Sequence, residues 1–551
     1  MRVGTAWTET TAATVWTRIV WVIPLAWLIL IDSLVHLPLV LATDSTNTTT
    51  FDEASPELLE ALQNLFVFTE GDTEDSSVFV NDGNSTFSNE GNRKLQKEWA
   101  CDEVIASYDL FETMALVTDF IDKTISSTWQ AMLLKAAIIP QIHNGVQVRK
   151  ICGACTDFGV RTTARSIGCK PTDYGSDVTH SGLALIPTWI DGSILWGTHT
   201  LSIYGHGTRA SEQPSTSWYA IESPPEELFN FVITAVHGVV SILPDYMGYG
   251  ESLGEAKRGY IIKKSYQTST LPLVLRMQRT VKQETNCRAA VAKSALVMGY
   301  SEGGYAAIAI AESLKSLNYD IIKVEAGGGP YAISSIQLLV AQRRLDEQSF
   351  PLVNIFYLAL LGASYSSTYK DLPNFRQQSN MLKGRFRRDL VKLVNTGATS
   401  QQLNNAILEL AQYRNPARLL KRDMVKFTRM ALEVRDDDPC ADPPNPLLPD
   451  RPDAMCRALK EQDLTETILE ADYDIRLCHS RDDVLVDVLN IPFFYHSTKW
   501  SQNPHLSYNV IGGSHEAAGA SCLTEILLYL QSPAFRFYPV ADRHSTSGTC
   551  S

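Results

Sequence analysis

Basic charge is scarce in this chain and nowhere concentrated: 48 Lys and Arg stand against 61 Asp and Glu, for a formal net charge of −13. No Lys/Arg run is dense enough to track a phosphate backbone, which argues against a nucleic-acid partner. The nearest approach to a basic patch is Lys383, Arg385, Arg387 and Arg388, a spacing that reads as the solvated face of a helix. Also missing is an internal repeat of fixed period, the mark of a solenoid. Behind Cys152-Gly-Ala-Cys155 and Cys169 no His or second Cys pair follows at ligand spacing. Disulfide bonding is therefore the stronger reading there and zinc the weaker, and no metal is expected.

What is present is globular in character: 551 residues, 44% of them hydrophobic, with 32 Gly and 25 Pro. That length accommodates one large domain with an insertion, or two or three ordinary ones. Residues 19–31 form an almost unbroken apolar run behind Arg2 and Arg18. The run is short of the roughly 20 residues a membrane span needs, and Val40-Leu-Ala42 offers a signal-peptidase site. The expectation is a cleaved signal, with an uncleaved N-terminal anchor as the alternative; both lead into the secretory pathway. The sequons at Asn47 and Asn84 and the even count of 10 Cys agree with an oxidising, secreted setting. Cys440 and Cys456 would then staple a loop rich in Pro and Asp.

Behind the targeting segment (1–42), residues 43–98 are acidic and rich in Ser, Thr and Asn, with one amphipathic stretch at 56–68. They read as a linker or pro-segment, leaving 99–551 as the folded domain. From about residue 180 short apolar strands alternate with helical stretches, the pattern of an α/β fold with a mostly parallel sheet flanked by helices. Strands are predicted at 182–187, 200–204, 239–243, 294–298, 322–325, 475–478 and 507–511, and helices at 264–281, 303–317 and 516–530. Between 331 and 472 the sequence is mainly helical and charged, which reads as a cap or lid inserted before the strand near 475. Its apolar run 352–362 reads as core rather than lid, although a mobile apolar cap would suit a water-poor site.

Chemistry concentrates at Gly299-Tyr-Ser301-Glu-Gly303, with an apolar strand before it and Ala-rich helical sequence after it. At average Gly and Ser usage a bare G-x-S-x-G arises by chance in about one chain in five of this length, so the flanking strand and helix carry the weight. In that context it is a nucleophile-elbow signature. The small neighbours let backbone pass close to a strained turn. A triad also needs an acid and then a His downstream, in that order. Asp483, in the polar turn after the 475–478 strand, is the acid candidate, with Asp482 as runner-up. His515, after Gly512-Gly513 at the end of the last strand, is the base candidate; His505 and His544 lack that context. In these roles His515 takes the proton of Ser301, Ser301 attacks an acyl carbonyl, and Asp483 stabilises the imidazolium. For the oxyanion, the backbone N–H of Glu302 and one from the turn Gly205-His-Gly-Thr208, through Thr208, are the candidate donors.

These motifs resemble the α/β-hydrolases, and within them the secretory lipases and carboxylesterases. The resemblance rests on Tyr204-Gly-His-Gly-Thr208, Pro244-Asp-Tyr-Met-Gly-Tyr-Gly-Glu-Ser252, the Ser301 elbow and Gly329-Pro330, and covers roughly residues 180–535. It aligns His479, Asp483 and Val486 with the family's H-G-x-x-D-x-x-V turn, with Ser480 in place of Gly and Asp487 where Pro is common. What it implies is an ester hydrolase with a helical cap, acting on a small-molecule or lipid ester without a cofactor, and compatible with contact at a membrane or lipid interface. Glu302 departs from the family, which favours a small or neutral residue beside the nucleophile. Relatives on this scaffold include peptidases and acyltransferases, and a catalytically silent binding protein is a further alternative.

Overall fold

The computed structural model describes residues 101–124, most of 131–154, 178–210, 216–218, 225–347, 355–369, 382–412, 415–448 and 451–530. The expected targeting segment, the 43–98 segment with its 56–68 stretch and sequons, Cys155, Cys169 and His544 lie outside the described residues.

Strands β1 (Val104–Tyr108), β2 (Gly145–Gly153), β3 (His180–Thr188), β4 (Gly197–Gly205), β5 (Val240–Pro244), β6 (Ala289–Tyr300), β7 (Asp320–Gly327), β8 (Ile475–Ser480) and β9 (Leu506–Ile511) make one sheet. Its order is β1-β2-β3-β5-β4-β6-β7-β8-β9. β4 to β9 run parallel to one another, while β1 pairs antiparallel with β2, β2 with β3 and β3 with β5. Each predicted strand is present. The sheet also begins earlier than the sequence pattern suggests, because β1 and β2 extend it back to Val104. β2 carries Arg149 and Lys150 in mid-strand, both buried, paired with Glu284 and Glu251.

Helices α1 (Leu110–Thr124) and α2 (Pro225–His237) flank one face. On the other lie α3 (Lys263–Glu284) and α4 (Glu302–Ser316). The strands between are buried on both sides, so they read as nearly continuous apolar runs. Within β6, Ala295 and Val297 pack toward α4, while Leu296 and Met298 pack toward Phe229 and Phe231 of α2. The two-residue period of a strand produces that split.

Between β7 and β8 come α5 (Leu338–Glu347), α6 (Phe356–Thr368), α7 (Gly384–Asn395), α8 (Ser400–Leu410), α9 (Arg422–Val434), α10 (Asp453–Glu461) and α11 (Thr465–Leu469). α6, α7 and α8 share a core of their own around Phe356, Leu360, Leu390 and Ile407. Lys383 and Arg388 sit at the start of α7, with the Arg388 side chain 84% exposed. Short α12 (Ser497–Gln502) and then α13 (His515–Leu530) complete the described chain, and α13 returns to the α2 face through Leu523 and Ile526.

Disulfides join Cys101 to Cys152, Cys440 to Cys456 and Cys478 to Cys522, and Cys287 is bonded as well. The zinc alternative thus loses Cys152. The one metal-like cluster among the described residues, Cys101, Cys152 and Glu251, contains that same bonded pair. Disulfides fit an extracellular protein. Among the described residues, no helix is long and apolar enough to cross a membrane.

Candidate active site

Ser301 stands at the junction of β6 and α4 with φ 60° and ψ −123°, a backbone region that a non-glycine residue occupies only when its surroundings enforce it. The enforcement is visible in the packing. The Ser301 N–H donates to the Gly327 carbonyl at 2.8 Å, and Gly304 N–H returns to the Ser301 carbonyl at 3.0 Å. The elbow also presses against the turn after β4: a Cβ on Gly303 would lie 1.9 Å from the Gly205 oxygen, and one on Gly299 would lie 2.2 Å from the Gly303 oxygen. Only glycine fits either place.

The structure brings the three residues of the predicted triad together. Ser301 Oγ and His515 Nε2 are 2.8 Å apart, and His515 Nδ1 lies 2.5 Å from Asp483 Oδ2. With the ring proton on Nδ1 donated to Asp483, Nε2 is left to accept from the serine hydroxyl. His515 opens α13, directly after β9, and Asp483 lies in the turn after β8. Asp483 Oδ1 accepts the N–H groups of Leu485 and Val486 at 2.8 and 2.9 Å, which fixes the carboxylate. Burial alone would raise its pKa, but His515, beside it and bonded to it, acts with His479 and the Val486 N–H to hold the group below its ordinary value. Asp482 is turned elsewhere, accepting from the Gly513 N–H at 3.1 Å. His479 is fully buried beside Asp483, with Nε2 2.8 Å from the Val486 carbonyl, and burial lowers its pKa.

The remaining predicted residues lie on the other side of Ser301. Glu302 begins α4, so its N–H is among the first of the helix, where no intrahelical acceptor exists. Thr208 follows the turn whose His206 ring is stacked on Tyr246 with centroids 4.0 Å apart. The Tyr246 hydroxyl donates to the His206 carbonyl at 3.1 Å. Tyr246 belongs to the 244–252 motif, which is anchored by Asp245: this buried carboxylate accepts from Thr216 Oγ1 at 2.6 Å and the Ser217 N–H at 2.8 Å.

Sequence reasoning missed a tyrosine cluster next to this centre. Tyr260, Tyr266 and Tyr357 converge on the Glu302 side of the site from the loop before α3, from α3 and from α6. None of them belongs to a recognisable motif; only the fold assembles them.

A cavity of about 1040 Å³, counting its opening, starts at Ser301 and His515 and runs beneath the inserted helices. Its walls include Leu338, Leu345, Leu358, Leu361, Leu420 and Met424, and among the described lining residues none is Lys, Arg or Asp. The 352–362 run does two jobs: Phe356, Ala359 and Leu360 are core, while Tyr357, Leu358 and Leu361 face the cavity. Residues 352–354 lie outside the described residues.

No protein-family model matches the sequence, and no curated protein matches it. Solved structures do resemble the fold. A protein of Legionella pneumophila described as a candidate hydrolase superimposes with a TM-score of 0.51 at 14% identity, covering 78% of this chain and 96% of its own. A mutant of the rice cell wall degrading esterase LipA from Xanthomonas oryzae gives 0.49 at 16% identity, covering 78% and 97%. Candida antarctica lipase A gives 0.40 at 12%, covering 76% and 78%. The first of these likenesses bears on the fold of the chain alone.

Proposed function

We propose that this chain, whose fold is that of the α/β-hydrolases, is a serine hydrolase that cleaves carboxylic esters through an acyl-enzyme on Ser301. The observation that carries the reading is the continuous hydrogen-bonded line Ser301, His515, Asp483 at the mouth of an apolar cavity. In the first step His515 Nε2 accepts the hydroxyl proton while Ser301 Oγ bonds to the ester carbonyl carbon. Negative charge moves to the carbonyl oxygen, where the N–H groups of Glu302 and Thr208 are the proposed donors, each worth about 3 kcal/mol. The tetrahedral species collapses as His515 returns its proton to the departing alcohol. Water, deprotonated by the same imidazole, then releases the acid and regenerates Ser301.

The inserted helices act as the cap, and their leucine-lined wall favours an apolar acyl group over a charged peptide. The neighbour described as a candidate hydrolase agrees with the hydrolase reading, and the disulfides agree with an extracellular setting. The test is hydrolysis of p-nitrophenyl esters of increasing acyl length by wild type and Ser301→Ala, with a fluorophosphonate as active-site label. Turnover and labelling in wild type, both lost in the variant, support the reading. A wild type that does neither sinks it, and one that takes the label but ignores esters points to peptide cleavage or acyl transfer.

A further inference from the structure

The Glu302 carboxyl has no part in those steps, yet it sits directly behind the reacting centre. The residue is 3% exposed. Oε1 accepts from the Tyr266 hydroxyl at 2.7 Å, and that hydroxyl in turn accepts the Ile261 N–H at 2.9 Å. The Thr208 hydroxyl is near enough to lower the carboxyl's pKa, although Oε2 has no hydrogen-bond partner. Thr208 Oγ1 stands 3.3 Å from Tyr260 Oη. One side chain therefore touches the elbow, the turn after β4 and the segment entering α3. Two of these three segments carry the proposed oxyanion donors.

We propose that the Glu302 side chain is a positioning residue for the oxyanion site, bracing the nucleophile elbow against the Thr208 turn and the Tyr260–Tyr266 segment. The proposal rests on the serine-hydrolase reading of the same site. A neutral carboxylic acid suits the task because it has both a donor and an acceptor, whereas a carboxylate only accepts. Burial pushes the Glu302 pKa up to about 8, against the lowering influence of the Tyr266 hydrogen bond, the Thr208 hydroxyl, Arg258 and Arg209.

The groups facing it come from every neighbouring element. Arg258 stacks its guanidinium 4.4 Å over the Tyr249 ring, Arg209 is paired with Glu227, Tyr357 approaches from α6, and buried His206 is held neutral. Below its pKa the acid keeps the bond from Tyr266 on Oε1 and has a proton on Oε2 to offer toward the neighbouring Thr208 hydroxyl. Above it, a buried negative charge sits on the very residue whose N–H must receive the oxyanion, and the two charges repel. Turnover therefore falls on the alkaline side.

The experiment measures kcat and KM for a short soluble p-nitrophenyl ester on both sides of pH 8, with fluorophosphonate labelling, for the full chain and for Glu302→Gln, Glu302→Ala and Tyr266→Phe. Wild type should show an alkaline limb near 8. Glu302→Gln should lack the limb and lose about 10-fold or less in kcat, and Glu302→Ala about 100-fold with KM little changed. Tyr266→Phe removes a hydrogen bond that lowers the Glu302 pKa, so its limb should move to higher pH. An alkaline limb unaltered in Glu302→Gln, or a loss confined to KM, overturns the proposal while leaving the triad intact. Wild type that neither labels nor turns over at any pH overturns the hydrolase reading and this proposal with it. Should Glu302→Ala fail to fold, the limb in the Gln and Phe variants still decides.

Discussion

The Tyr300 hydroxyl donates to the His515 carbonyl oxygen at 2.7 Å, so the residue preceding the proposed nucleophile holds the residue proposed as its base. The two rings are 5.1 Å apart, and Tyr300 shares a small core with Cys478, Ala518 and Cys522. Position of the imidazole is thus set by β6 itself as well as by α13.

Tyr300→Phe removes that tether and leaves the ring packing. A hydrogen bond of this kind contributes about 1 kcal/mol, so if it acts on the placement of His515, kcat should fall by about 5-fold with at most a small change in melting temperature. Steady-state kinetics beside a thermal melt separates the two. Unchanged kcat would mean that α13 needs no help from Tyr300.

Gly303→Ala should be among the most damaging single substitutions, because its Cβ would meet the Gly205 oxygen at 1.9 Å and that oxygen belongs to backbone. Relief requires the turn after β4 to move away from the elbow, at a cost of about 4 kcal/mol or more. Urea unfolding of the purified variant, or failure to recover soluble protein, is the readout; wild-type stability would show that the turn yields easily.

These two positions illustrate what the amino-acid sequence reveals. Ser301, its glycines and its flanking strand and helix lie next to one another in the chain, so a local pattern identifies them. Asp483 and His515 each follow an apolar strand, and the order of strands points to them. β1 and β2 were hidden for the opposite reason: Arg149 and Lys150 break the apolar pattern of β2, and their partners Glu284 and Glu251 lie over a hundred residues away, with 135 and 101 residues of separation. The same holds for the Tyr260, Tyr266 and Tyr357 cluster around Glu302, which exists only once α3 and α6 have packed. Sequence shows Glu302 as a charge beside the nucleophile; burial makes it a neutral acid over most of the neutral range.

His180 gives a pH-dependent stability that can be isolated. It lies on β3, fully buried, with neither ring nitrogen hydrogen-bonded, and burial lowers its pKa from 6.5 to about 4. A histidine neutral in the fold and protonated when unfolded contributes stability above pH 6.5, lost as pH falls from there toward 4. The loss amounts to roughly 3 kcal/mol. His180→Phe should therefore show a shallower decline in unfolding free energy than wild type across that window. Parallel declines would place the acid sensitivity elsewhere.

Cavity length should govern acyl preference. Leu345 and Met424 face each other's helices, α5 and α9, along the inserted wall. Met424→Trp fills space there without touching Ser301. The ratio of kcat/KM for long over short acyl esters should fall about 10-fold or more, as expected when chain methylenes lose their pocket. An unchanged ratio would mean that the acyl chain leaves the cavity by another route.

Cys478 and Cys522, bonded to each other, enclose a stretch of chain that contains both Asp483 and His515. A protease that nicks this stretch, for example near the exposed Ser501 and Gln502 at the end of α12, leaves two fragments still covalently joined around the acid and the base. The nicked protein would run as one species on a gel until a reductant is added and as two afterwards. In surroundings rich in proteases, that closed ring would let the proposed acid–base pair outlast the continuity of the polypeptide.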